Sequence, residues 1–191
     1  ETQRLLQHVL DTSGPLPKHM GCIASALLNH PQDDLMFAGL EALARSFLKQ
    51  SQNGTKGDEH NAVALEFLTV VCALVERSAA KQRPAVELVR FLGLMEQSLS
   101  IWRSCVTKEL QQGGGTSAAK FCKILSVAWQ QGQRLGREKD WASVVSIFET
   151  TSKILEHIDS VEVREVFEPR AWCLVMLASA KEQLVKLASG Q

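Results

Sequence analysis

The chain has 191 residues, of which 45% are hydrophobic, and its 21 Lys and Arg are balanced by 21 Asp and Glu. This composition is typical of one globular domain and excludes a chain that is disordered throughout. Zero net charge disfavours direct binding to nucleic acid or to anionic membranes. No apolar run approaches the roughly 20 residues of a membrane-spanning helix. Because the chain opens on Glu1 rather than Met, we expect a fragment of a longer protein.

Helical patterns run along the whole chain. N-cap and first-turn residues mark helix starts at Asp33, Pro84 and Asp140. Apolar residues recur at helical spacing, and no two-residue alternation indicates a strand. The predicted helices cover residues 2–11, 18–30, 33–50, 59–79, 84–110, 117–137, 140–157 and 162–188. Pro169 predicts a kink or break in the last helix. We therefore predict a single all-α domain over residues 1–191.

Residues 62–75 (AVALEFLTVVCALV) are apolar on nearly every side of the predicted helix. A helix with one face in water could not have this pattern, so neighbours should cover both flanks. Layered stacks of helices bury their inner helices in this way.

The cysteines and histidines show no metal-binding pattern. Five cysteines, an odd number, lie mostly in apolar runs, which is typical of buried thiols in a reducing compartment. There is no C-x-x-C and no H-E-x-x-H spacing, so we expect neither a metal nor a cofactor.

Residues 128–155 (AWQQGQRLGREKDWASVVSIFETTSKIL) have the spacing of a tetratricopeptide hairpin. Gly132 is the small residue where the two helices cross, Asp140 and Trp141 form the turn, and Phe148 is the aromatic of the second helix. Eight positions separate Gly132 from Asp140, and eight more lead to Phe148.

Four other positions depart from the repeat: Gln131, Leu135, Val144 and Thr151 stand where leucine, tyrosine and two small residues are usual. The second helix also has two apolar faces, as a helix between two neighbours requires. The pattern predicts an α-solenoid of degenerate tetratricopeptide-like hairpins.

The segments Ala128–Gly132, Lys139–Trp141 and Val144–Leu155 resemble the tryptophan-x-x-glycine hairpin of a meiotic tetratricopeptide scaffold family. This family belongs to the ZMM crossover group and is called Zip-four in yeast and testis-expressed-eleven in mammals. The resemblance implies a nuclear, non-catalytic scaffold on meiotic chromosomes that supports crossover formation and synapsis. It also implies that the scaffold links other ZMM proteins, such as a nuclease-like heterodimer, to chromosome axes, with DNA contact through these partners.

In this repeat register Trp129, Ser126 and Gln133 line the concave groove, and we predict them as partner-binding residues. The competing interpretation is that Trp129 packs in the core against residues 81–109. Trp102 and Trp172 allow the same two interpretations.

Two other functions stay open. A helical-repeat adaptor in a non-meiotic complex would share the fold but have different partners. A small helical hydrolase could use Ser46 or Ser117, since both begin an S-x-x-K pattern, or a set of His and Cys distant in sequence. The glycines at 113–115 could form a phosphate cradle before a helix, although no G-K-[ST] follows and a flexible linker explains them better.

Overall fold

The computed structural model describes residues 17–52, 58–158 and 164–189, which form eight helices. These are α1 (Pro17–Leu28), α2 (Asp33–Gln52), α3 (Asp58–Ala80), α4 (Ala85–Gln97), α5 (Leu99–Gln111), α6 (Thr116–Arg137), α7 (Trp141–Glu156) and α8 (Arg164–Ala188). The described ranges contain no strand, which confirms the all-α prediction. The helix predicted over residues 2–11 lies outside the described residues.

Helix α3 lies at the centre of the core, as its all-round apolar sequence predicts. It packs against α1, α2, α4, α5 and α6. Phe67 and Leu74 are inaccessible to water, and so are Leu68 and Val75, which point in other directions from the helix axis. Five neighbouring helices thus cover most of this one segment.

The single helix predicted over residues 84–110 is wrong, because the chain breaks between α4 and α5 at Ser98. The buried Trp102 indole N–H donates to the Met95 carbonyl (2.9 Å) and to the Ser98 hydroxyl (3.0 Å). The Ser98 hydroxyl in turn donates to the Leu94 carbonyl (2.7 Å). Two side chains thus donate hydrogen bonds to backbone carbonyls that would otherwise accept only from backbone N–H groups of the helix. Helices bend where side chains compete for these carbonyls. Trp102 is a core residue, with no exposed surface.

Helix α8 does not break at Pro169, which was one of the two outcomes predicted for that position. It continues from Arg164 to Ala188 with Pro169 inside it. Proline lacks the backbone N–H that would donate to the carbonyl four residues earlier, so the helix continues with one hydrogen bond fewer near its start.

Extensive packing joins helices that are close in the chain. If α4 and α5 are taken together as one bent helix, each large contact is between helices one or two positions apart. Helix α3 packs on α6, and α4 packs on α7, in addition to the contacts between successive helices. Helix α7 also packs on α6 and α8, so both of its apolar faces are covered as predicted.

Three helices end in the same hydrogen-bonded turn. After α3, α5 and α6, the second residue past the helix cap donates to a carbonyl five residues earlier. The residue before that donor has a positive φ: Gln82 (50°), Gly113 (83°) and Lys139 (63°). This conformation costs little for glycine but about 1–2 kcal/mol for a residue with a Cβ.

We expect Lys139→Gly to raise the free energy of unfolding by about 1 kcal/mol, because glycine relieves the strain at φ 63°. Chemical denaturation followed by circular dichroism measures this change. Lys139→Ala is the control and should not stabilise the protein, since alanine keeps the Cβ. Equal stabilisation by both variants would contradict the explanation.

Candidate functional site

The turn between α6 and α7 is closed by one residue, Asp140. Its backbone N–H donates to the Leu135 carbonyl at the end of α6 (3.0 Å). Its carboxylate accepts from the Ser143 N–H in the first turn of α7 (3.2 Å). Asp140 therefore satisfies backbone groups at the end of one helix and at the start of the next. The sequence spacing had placed this residue at the turn.

Gly132 and Phe148 meet where α6 crosses α7. A Cβ on Gly132 would lie 2.5 Å from Cζ and 2.6 Å from Cε2 of the Phe148 ring. The ring is completely buried, so it has little room to move away. One turn further along α6, a Cβ on Gly136 would lie 3.5 Å from the Trp141 ring, an ordinary contact. The close approach of the two helices thus depends on Gly132 and not on Gly136.

The Trp129 ring contacts the Phe148 ring edge to face, with centroids 5.5 Å apart and planes at 68°. Phe148 is thereby held by Gly132 and by Trp129, one turn earlier on the same helix. Trp129 is only partly buried. Its aromatic neighbour is Phe148, which lies outside the 81–109 segment of the competing interpretation.

A groove of about 550 Å³ opens beside Trp129. Helices α6 and α8 form its walls, and α7 contributes to its floor. Its lining residues are Phe121, Cys122, Leu125, Ser126, Trp129, Thr151, Leu155, Glu168, Pro169, Trp172 and Cys173. Of the three predicted groove residues, Trp129 and Ser126 line it, whereas Gln133 lies one turn further along α6 and is not in its described lining.

The α8 side of the groove was missed by the sequence analysis. Trp172 is 53% exposed, and Pro169 and Glu168 lie one turn before it. The sequence allows Trp172 to be either a core residue or a surface residue. Its apolar neighbours in the sequence resemble those of the buried Trp102, so the linear pattern contained no means to separate the two.

The polar side chains deep in the groove do not require a hydrogen bond or a charge from a bound molecule. The Thr151 hydroxyl donates to the Ile147 carbonyl within its own helix (2.8 Å). Burial raises the pKa of the Cys173 thiol to about 11, so this sulfur is an uncharged thiol at neutral pH and a poor nucleophile. At the rim, Glu168 is exposed and makes no ion pair with any residue that the structure describes.

A second concavity, between α2 and α4, has a different character. Opposite charges line it and pair with one another. Arg83 binds Asp34 (2.9 Å) and Glu87 (2.9 Å), while Arg45 and Arg90 both bind Glu41 (2.7 and 2.9 Å). These pairs link α2 to α4 and to the turn before it, so we interpret them as structural.

The residues of the hydrolase and phosphate-cradle alternatives lie in settings that do not suit those roles. Ser46 and Ser117 are both buried, and the Ser117 hydroxyl is 3.3 Å from Sγ of Cys105. The start of α6 is occupied by a carboxylate of the protein itself, since Glu109 accepts from the Ala118 N–H (2.8 Å). A Cβ at Gly115 would lie 2.5 Å from that carboxylate, which explains the glycine without a bound phosphate.

Comparison of the chain with protein-family models, with curated proteins and with solved structures finds no match. Within the described ranges, no group of His, Cys, Asp and Glu side chains is arranged to hold a metal. No described helix is both long enough and apolar enough to cross a bilayer. The groove is therefore assigned from its geometry and from the sequence.

We expect Gly132→Ala to lower the free energy of unfolding by about 1–3 kcal/mol, because the new methyl group overpacks against the Phe148 ring. Gly136→Ala is the matched control. It should be neutral or stabilising by about 0.5–1 kcal/mol, since alanine favours the helix and meets only an ordinary contact. Thermal and chemical denaturation measure the free energy of unfolding of both variants. Equal changes in the two would show that the close approach of α6 and α7 does not depend on Gly132.

Proposed function

We propose that this chain is a non-catalytic protein-interaction scaffold built from degenerate tetratricopeptide-like repeats and acting in meiotic recombination. The main support for the proposal is the hairpin of α6 and α7. There the absence of a Cβ at Gly132 leaves room for the Phe148 ring, and Asp140 closes the turn. These are the positions at which a tetratricopeptide repeat needs a small residue, a turn residue and an aromatic.

The α-solenoid part of the proposal is supported by the order of packing. Helices α1 and α2, α3 and the bent pair α4–α5, and α6 and α7 form successive hairpins, and α8 would begin the next. Each hairpin packs on the following one, as repeats in a solenoid do. Solenoids expose a row of first helices along one surface, and α6 and α8 belong to that row here.

The meiotic part of the proposal rests on the resemblance of residues 128–155 to the Zip-four and testis-expressed-eleven family. On this basis the partners are other ZMM crossover proteins, and the location is the nucleus, on meiotic chromosomes. Chromosome axes would be reached through these partners. The balanced charge of the chain supports DNA contact through partners rather than by the chain itself.

The proposal is tested by purifying the tagged chain from meiotic cells and identifying bound proteins by mass spectrometry. We expect ZMM proteins to be enriched over tag-only and mitotic controls, and the chain to localise to meiotic chromosomes. The same unrelated partners from meiotic and mitotic cells would instead assign a general adaptor. Turnover of ester or phosphate probes that is lost in Ser46→Ala or Ser117→Ala would assign a hydrolase.

A further inference from the structure

The groove lies where the packing order of the fold is interrupted. In the row of first helices, α1 packs extensively on α3, and α3 packs extensively on α6. Between α6 and α8 the described residues make no extensive contact, and the groove of about 550 Å³ separates them. Both walls are held in place independently, because each packs on α7. The opening is therefore a feature of the folded chain, large enough to take several apolar side chains.

Two indoles face this opening from opposite walls. Trp129 is fixed by its edge-to-face contact with Phe148, whereas Trp172 has 53% of its surface in water. Covering an exposed indole removes a large apolar area from water, and rigid aromatic residues at the centre of a contact supply much of its binding energy. The walls thus favour an apolar occupant.

The backbone of the occupant must satisfy its own hydrogen bonds. Both walls are helices, and neither offers the free strand edge that an extended peptide could join. An extended segment pressed against these apolar walls would bury backbone N–H and C=O groups without hydrogen-bond partners, which is unfavourable. A helical segment avoids this cost, because its polar backbone groups bind one another.

Charge selects further among helices. Glu168 is an exposed carboxylate at the groove rim, and within the described part of the chain it has no ion-pair partner. Thr151 and Cys173, the polar residues at the floor, are respectively hydrogen-bonded internally and uncharged. A lysine or arginine at the end of the occupant near Glu168 would therefore meet the one acidic or basic side chain among the described lining residues.

We infer that the groove between α6 and α8 binds an amphipathic helix of a partner protein. The occupant presents apolar side chains at positions i, i+3, i+4 and i+7 and a lysine or arginine toward Glu168. The wall from Phe121 to Trp129 is about 12 Å long at 1.5 Å per residue, so two to three turns of helix match it. That the partner is a protein rests on the proposed scaffold function. The inference adds which surface binds the partner and which chemistry recognises it.

The probe for this inference is a displayed library of stapled 14-residue helices, added to the purified chain. Four positions at helical spacing vary among Leu, Ile, Phe and Ala, and the flanking positions vary among Lys, Glu and Ser. We expect selection of helices with large apolar residues and a flanking Lys. Trp172→Ala should weaken the best of them at least tenfold, and Glu168→Lys should change the preferred flank from Lys to Glu.

The matched control is Val185→Ala, which removes an exposed apolar residue from the same helix but outside the groove, and it should leave binding within twofold. Circular dichroism checks that all variants are folded, as expected for exposed positions. No enrichment over Trp172→Ala, or the same flanking preference in the wild type and in the Glu168→Lys variant, would overturn the inference. Selection of acidic helices by the wild type would overturn it equally.

This experiment fails separately from the test of the proposed function. If Trp172→Ala does not change the recovery of crossover proteins, the proposed scaffold function stands, but the groove is not its docking site. If basic amphipathic helices are selected but no crossover proteins are recovered, the groove is a helix-binding site and the meiotic function is wrong.

Discussion

The contact between the Phe148 ring and the backbone of Gly132 sets the geometry on which the second half of the molecule depends. Because no Cβ separates them, α6 and α7 cross closely, and the ring fills the space between their axes. The same ring supports Trp129 and so fixes one wall of the groove. Asp140 keeps the two helices in register by closing both ends of their turn.

Helix α3 plays the corresponding role in the first half. Most of its apolar residues are buried, and α1, α2, α4, α5 and α6 pack around it. Since α6 touches α3 on one side and α7 on the other, it joins the two halves. A substitution at Gly132 would therefore alter the groove directly. It would also affect the packing around α3, because α6 contacts α3.

The two concave surfaces differ in how their polar groups are satisfied. Between α2 and α4, three arginines pair with three acids, and Glu41 alone receives two of the arginines. Between α6 and α8, the lining is mostly apolar and the rim carboxylate of Glu168 has no ion pair among the described residues. Internal pairing stabilises contact between helices of one chain, whereas an unpaired charge beside exposed aromatic rings is suited to a second molecule.

The sequence by itself determined the all-α class, the central position of residues 62–75, and the roles of Gly132, Asp140 and Phe148, because each follows from local periodicity or from fixed spacing within one hairpin. It could not predict the break at Ser98, which arises when the Trp102 indole bonds to a carbonyl seven residues earlier. Only the tertiary structure decided that Trp102 is buried, that Trp172 is exposed, and that Gln133 lies outside the groove. Those outcomes depend on which helices fail to meet, here α6 and α8, and distances between elements far apart in the chain are not encoded in the period of either one.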